Sequence, residues 1–240
     1  MKAENKKIFY LASFQKSGNT WVNFTIANMY NQLTGRFPEI DFFNIHEISP
    51  EVRPNDNEDK EPLFKDLPWI FMTHSPYKTD FANVILVLRN PWDVLYSYYH
   101  FLKGERLKDF SLPEVITHPQ HGIGALVEHN ESFLRNCGNL LIITYENMHA
   151  NPIKAARKIA RFLDLDIADR LIKDAVKKAS FKSMRKIEVQ KGRKYGTPGF
   201  LFTRNGKVGE GKREIQEYEE SDNYILHEIR KSPLLYLLYG

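Results

Sequence analysis

The sequence predicts one α/β domain built in three layers on a central parallel sheet, and three observations point that way. The chain opens as strand, tight polar loop and helix: Ile8-Phe9-Tyr10-Leu11-Ala12-Ser13 is apolar and short enough for a buried strand, and Val22, Ile26, Met29 and Leu33 then recur at helical spacing. Further on, Val84-Ile85-Leu86-Val87-Leu88 is a continuous apolar run, the pattern of a central parallel strand, and Asn90-Pro91 is placed to open the next helix. The length, 240 residues, suits one well-buried domain and is short for two, so residues 1–240 are expected to form a single domain without internal repeats.

Taken in order, the first stretch with chemistry in it is the loop Phe14-Gln15-Lys16-Ser17-Gly18-Asn19-Thr20-Trp21. A strand-to-helix turn aims several backbone N–H groups and the positive end of a helix dipole at one point, which suits a phosphate or sulfate. Lys16 adds a mobile charge, Gly18 adds flexibility, and Ser17, Asn19 and Thr20 add neutral donors. Lys16 stands two residues before Gly18, whereas a Walker A loop places its lysine after its second glycine; a magnesium-dependent nucleotide kinase is weakened accordingly. On its own the octapeptide fits an anion site and an ordinary turn with a surface lysine equally well.

Residues 35–68 are rich in proline, asparagine, aspartate and glutamate and show no sustained period. They predict a long connection with at most short helices, either a lid or binding loop or a disordered insertion. Trp69-Ile70-Phe71-Met72-Thr73-His74 is the second strand. Ligands of open α/β sheets sit beyond the carboxyl ends of the strands, so His74 can face a substrate, and an imidazole titrating near ~6.5 can take a proton from a hydroxyl. For a lone strand-end histidine, a hydrogen-bonded structural role is the commoner one. Arg89 at the end of the third strand and Ser97 two helical turns later could converge on one oxyanion, the guanidinium giving a bidentate fork. Alone, Arg89 also reads as half of a surface ion pair.

Residues 103–119 read as a second variable loop, followed by a helix over about 122–136 and a strand over 140–145. Asn151 can cap and Pro152 start a helix running to about residue 163, and another spans about 167–178. Between Lys191 and Arg213 seven basic residues face one acid, Glu210, and the stretch from Glu214 to Asp222 is acidic instead. A glycine- and lysine-rich loop of this kind is usually a mobile connection, and Arg193 and Lys194 read as no more than that. The closing Leu234-Leu235-Tyr236-Leu237-Leu238-Tyr239 is too short to span a bilayer and is expected to pack on the domain.

Hydrophobic residues make up 42% of the chain and charged residues 27%, ordinary values for a soluble globular protein. The net charge of +4 fits a polyanionic ligand, but the basic residues cluster instead of spreading along a face with interleaved aromatics, which argues against nucleic acid. Cys137 is the only cysteine, so no intrachain disulfide or cysteine-based metal cluster can form, and a reducing, cytoplasmic setting is expected. No HxH, HExxH or carboxylate cluster accompanies the loop, so no metal is expected, and no segment has signal-peptide character or membrane-spanning length.

The string from Arg89-Asn90-Pro91 through Asp93 and Ser97 to Phe101 resembles the R-N-P-x-D-x-x-x-S-x-x-x-F segment of the sulfotransferases, and Lys16-Ser17-Gly18-Asn19-Thr20-Trp21 resembles their phosphosulfate loop. Thr73, His74 and Pro76 match Lys-Thr-His-x-Pro, with Met72 in place of the lysine. Tyr145-Glu146-Asn147-Met148 with Asn151-Pro152, and Ser180-Phe181 with Met184, are similar to two further segments of the family. Arg204 to Lys212 resembles R-K-G-x-x-G-D-W-K, with Asn205 and Gly211 replacing lysine and tryptophan.

The resemblance, which runs from about Ile8 to Lys212, implies a P-loop NTPase-like sulfotransferase fold and transfer of a sulfuryl group. The donor would be 3′-phosphoadenosine 5′-phosphosulfate (PAPS), the acceptor a hydroxyl or less often an amine of a small molecule, and the product adenosine 3′,5′-bisphosphate (PAP). It implies His74 as general base and Lys16, with Ser17, Gly18, Asn19 and Thr20, around the 5′-phosphosulfate. Arg89, Ser97, Arg204, Asn205 and Gly206 would hold the 3′-phosphate, and Trp21, Tyr145, Ser180 and Phe181 the purine, with Asp93 structural. Met72 leaves one positive charge either missing or supplied from elsewhere. A non-catalytic nucleotide-binding protein and an ATP-dependent nucleotide kinase on the same fold are the rivals. The loops at 35–68 and 103–119 would shape the acceptor site, where Phe37, Phe42, Phe43, Phe64, Tyr77 and Phe110 hint at an apolar or aromatic molecule; acceptor identity and oligomeric state stay open.

Overall fold

A computed structural model describes residues 7–52, 63–105, 109–194 and 196–240; parts of both predicted loops, 53–62 and 106–108, lie outside the described residues. Among the described residues β1 (Ile8–Ala12), β2 (Trp69–Thr73), β3 (Asn83–Leu88) and β4 (Asn139–Thr144) form one sheet in the order β2-β1-β3-β4. Every pairing is parallel, with Leu11 opposite Met72 on one side and Ile85 on the other.

Alternation along the strands divides the core into two layers, because successive side chains leave a strand on opposite faces. Phe9 and Leu11 of β1 and Ile85 and Val87 of β3 pack against α1 (Asn19–Thr34), α2 (Ile45–Ile48), α7 (Pro152–Phe162), α8 (Asp169–Lys178) and α9 (Phe181–Lys191). Tyr10, Ala12, Val84, Leu86 and Leu88 face α3 (Pro91–Gly104), α4 (Leu112–Thr117), α5 (Ile123–Asn136), α10 (Glu210–Ile215) and α11 (Glu219–Ile229). The continuous apolar run of β3 is thus explained by burial on both sides.

Helix starts follow local chemistry. Asn90 caps α3 by accepting from the Trp92 and Asp93 amides with Pro91 in the first turn, and Asn151 with Pro152 does the same for α7. The region read as a variable loop at 103–119 is corrected: it contains α4, started by a capping box in which Ser111 and Glu114 satisfy each other's backbone amides. The S-x-x-E signal is there in the sequence, but the periodic stretch that follows it is too short to stand out. The final helix α12 (Pro233–Tyr239) packs through Leu235, which is fully buried, and turns Leu237 outward. Among the described residues, no helix is long and apolar enough to cross a membrane.

Candidate functional site

All four strands run the same way, so their carboxyl ends deliver Lys16, His74, Arg89 and Tyr145 to one edge of the sheet. With the start of α9 and residues 202–210 they enclose a cavity of about 530 Å³, ample for a small molecule.

The loop end of this cavity is electropositive for several reasons. Gly18 is the N-cap of α1 and offers no side-chain acceptor, and the first turn carries no acid, so the dipole of a 16-residue helix is uncompensated there. Lys16 and Gly18 both adopt left-handed backbone, with φ of 65° and 105°. For Lys16 that conformation costs about 1–3 kcal/mol and must be held by its surroundings; Arg89 holds it, donating from Nη1 to the Lys16 carbonyl at 3.1 Å. The Lys16 ammonium lies 3.6 Å from the centre of the Phe202 ring and 4.4 Å from that of Phe101. Two such contacts return about 1–2 kcal/mol each, whereas removing an ammonium from water costs several. Desolvation wins, and with Arg89 and Arg193 nearby it holds the lysine well below its ordinary pKa. Among the described residues no carboxylate pairs with it, although Glu105 and Glu188 act on it in the opposite sense.

Gly18 is required on two counts: its positive φ, and a Tyr145 ring whose Cδ2 would lie 2.6 Å from an added Cβ. Gly18→Ala is expected to destabilise the fold by about 1–3 kcal/mol, read as a lower urea midpoint at unchanged slope; an unshifted midpoint would contradict the close approach.

His74 is oriented by β1. Its Nδ1 lies 2.8 Å from the Ser13 carbonyl, which can only accept, so Nδ1 carries the proton and Nε2 keeps a lone pair. Behind it, Asn19 donates to Ser13 Oγ at 3.1 Å and to the Leu11 carbonyl at 3.3 Å. Burial is the main cause that lowers the His74 pKa from its ordinary value, with the Ser13 hydrogen bond opposing. Next to it, His129 is buried at 3% exposure and held down to about 4, chiefly by desolvation. The folded state keeps His129 neutral while the unfolded chain protonates it first, so its stabilisation is complete above ~6.5 and is lost as pH falls towards 4. The urea midpoint should therefore drop between pH 7 and pH 4.5, and less steeply in His129→Gln; parallel curves for the two proteins would exclude this source.

Arg89, besides holding the Lys16 carbonyl, stacks on Tyr145 with 4.2 Å to the ring centre, donates from Nη2 to the Lys207 carbonyl and lies 3.9 Å from Asp93, while its Nε is buried with no hydrogen-bond partner among the described residues. Ser97, Arg204, Asn205 and Gly206 line the same cavity. Arg204 and Asn205 are both bonded to Glu210. Asp93 holds this segment in place by accepting from the Gly209 and Gly211 amides at 2.8 and 2.7 Å, a structural task. Gly211 stands where the similar family segment has tryptophan, and an added Cβ there would meet the Trp92 carbonyl oxygen at 2.3 Å. Trp21, Tyr145 and Phe181 give the cavity aromatic walls.

Three of the predicted residues behave differently. Ser17 is 2% exposed and Ser180 serves as the N-cap of α9, accepting from the Ser183 amide; neither lines the cavity. Asn19 does line it, but its side-chain amide is committed inwards to Ser13 and Leu11. Arg193, read from the sequence as part of a mobile connection, is pinned: it pairs with Glu105 and, at 3.0 Å, with Glu188. Of the predicted acceptor-side aromatics, Phe64 packs against Tyr30, Tyr77 against Phe133 and Phe110 against His118, while Phe42 lines a second, smaller cavity. Phe202, which the sequence reading missed, and Phe101, read there only as the end of the R-N-P segment, supply the walls around Lys16.

A family profile described as the sulfotransferase domain matches residues 6–232. Amine sulfotransferase of Oryctolagus cuniculus is 24% identical, the match covering 95% of this chain and 82% of the relative. Cytosolic sulfotransferase 10 of Arabidopsis thaliana is 25% identical over 84% of this chain and 71% of its own. The crystal structure of a mouse sulfotransferase complexed with PAP has a TM-score of 0.71 and 22% identity, covering 97% of this chain and 88% of that one; the two share a fold.

Proposed function

We propose, since this chain belongs to the sulfotransferase family, that it transfers the sulfuryl group of PAPS to a hydroxyl of a small molecule and releases PAP. One observation supports this above the rest: a single cavity gathers a buried lysine with no ion pair and an arginine with a buried, unpartnered Nε among the described residues, together with a helix N-terminus and aromatic walls. Two separated anions joined by a purine nucleoside satisfy all of these features.

PAPS, when bound, supplies an activated sulfur–oxygen bond. Lys16, Thr20 and the first amides of α1 surround the 5′-end, where they stabilise the negative charge that grows on the departing phosphate oxygen. Arg89, Ser97 and Arg204 hold the 3′-phosphate, and Trp21, Tyr145 and Phe181 flank the base, where stacking contributes about 1–3 kcal/mol. His74 accepts the acceptor proton at Nε2 as the new oxygen–sulfur bond forms and the old one breaks, the electron pair leaving with PAP. Ser17 and Ser180 act only through backbone and helix start. We extend the reading to a single-domain cytoplasmic enzyme, supported by the lone Cys137 and by a relative named as cytosolic. A screen of purified protein with radiolabelled PAPS against phenols, sterols, sugars and amines tests the activity; no labelled product from any class counts against it.

Two further outcomes are expected. Arg89→Ala should weaken PAP far more than AMP, by about tenfold to a hundredfold, because a charge-assisted bond to the 3′-phosphate is lost; equal losses in calorimetry would mean that the arginine only holds the Lys16 loop. Because burial lowers the His74 pKa, the base stays neutral into mild acid, so the acid limb of kcat should have its midpoint below the ordinary 6.5. A midpoint above that value would point to another base.

A further inference from the structure

Helix α9 turns two charged side chains towards the segment that follows it, and they divide that segment's backbone between them. Glu188 accepts from the Phe202 amide at 2.6 Å, from the Thr203 amide at 2.9 Å and from the Thr203 hydroxyl. Arg185, three residues earlier and so on the same face, donates to the Thr203 and Arg204 carbonyls. One side chain takes donors of residues 202–204 and the other takes acceptors. Phe181 and Met184 of the same helix line the large cavity.

Glu188 is only 3% exposed, and a carboxylate so placed is costly unless its oxygens are met by donors. The two amides, the hydroxyl and Arg193 Nε at 3.0 Å meet them. An apolar residue of similar size would fill the place without that cost, but it would not fix the backbone of residues 202–204. Those residues matter to the cavity: the Phe202 ring lies 3.6 Å from the Lys16 ammonium, and Arg204 lines the wall.

Lys16 is the second link. The charged and titratable groups that face it are Arg89 from the end of β3, His74 from the end of β2, Glu105 from the end of α3, and Glu188 and Arg193 from α9 and just beyond it. Arg89 and Arg193 oppose its charge, and Glu105 and Glu188 favour it.

We propose that Glu188 is a positioning residue of the donor site: with Arg185 it clasps residues 202–204, and so holds Phe202 against Lys16 and Arg204 at the cavity wall. This rests on the sulfuryl-transfer reading above and deepens it. The test is calorimetric titration of PAP into the full chain from neutral to alkaline pH, with urea midpoints taken without ligand.

Glu188→Gln keeps the shape but, whichever way the amide turns, sets an NH2 group against a backbone N–H; PAP should bind about tenfold more weakly at neutral pH. The substitution also removes a charge that favours protonated Lys16, so PAP affinity should begin to fall at a lower pH than in the parent. Arg185→Met breaks the other half of the clasp and removes a cation, so it should weaken PAP by about threefold to tenfold without that shift towards acid; it also carries the test if Glu188→Gln does not fold. A merely structural role for Glu188 would lower the urea midpoint and leave the pH at which affinity falls where the parent has it. That result, or unchanged PAP affinity in either variant, overturns the clasp and leaves the donor site standing. A protein that ignores PAP overturns both.

Discussion

Replacing His74 with alanine is expected to lower turnover by ~10²–10⁴ while PAP binding stays nearly unchanged. The reasoning is local. Nδ1 is tied to the Ser13 carbonyl at 2.8 Å, which fixes the tautomer and leaves Nε2 as the one basic atom of the ring. The hydrogen bonds that His74 makes within the chain run to Ser13 and orient the ring, so its removal should take away the proposed proton transfer and little else. Parallel loss of turnover and PAP affinity would show that the histidine shapes the donor site and is not the base.

The second large effect is expected at Lys16, and it has opposite signs for activity and stability. Lys16→Met removes the group proposed to stabilise the leaving group and should lower kcat by ~10²–10³, the usual cost of deleting one preorganised stabiliser of developing charge. Yet the ammonium is desolvated, lies on Phe101 and Phe202, and is kept well below its ordinary pKa. Methionine fills much the same volume without that penalty, so the variant should be more stable than the parent, with a higher urea midpoint. A site residue that costs stability is the expected signature of function. If the variant were both inactive and less stable, Lys16 would instead be serving the fold.

Much of the architecture could be read from the chain because local signals and tertiary burial agree. The apolar run at 84–88 is a strand buried on both faces, and Asn90-Pro91 and Asn151-Pro152 start helices where capping chemistry says they should. The ends of the strands are equally legible, and Lys16, His74, Arg89 and Tyr145 follow from them, because a parallel sheet brings its carboxyl ends to one edge. What escaped was set by distant contacts. Arg193 looks like one more base in a basic loop until Glu105 and Glu188, from elsewhere in the chain, close on it. Phe202 and Phe101 carry no mark that distinguishes a wall beside a lysine from ordinary packing, and Phe64 and Tyr77 carry no mark that assigns them to the core. Ser17 and Ser180 were legible as polar residues beside the site, but a serine's choice between ligand and backbone depends on which way its helix starts.

The departures at Met72 and Gly211 have physical contexts of their own. Met72 accepts from Asn23 Nδ2 at 3.0 Å and forms part of the apolar wall of the small cavity. Gly211 lets the 204–211 segment close on α3, since any side chain there would strike the Trp92 carbonyl.

The measurement that bears most directly on the central claim is equilibrium binding of PAP, AMP and MgATP to the purified protein. If the cavity holds two separated anions as proposed, PAP binds tightest, AMP, with one phosphate, binds weaker by about tenfold or more, and MgATP does not displace PAP. Tighter binding of MgATP than of PAP, or no binding of PAP at all, would contradict the account.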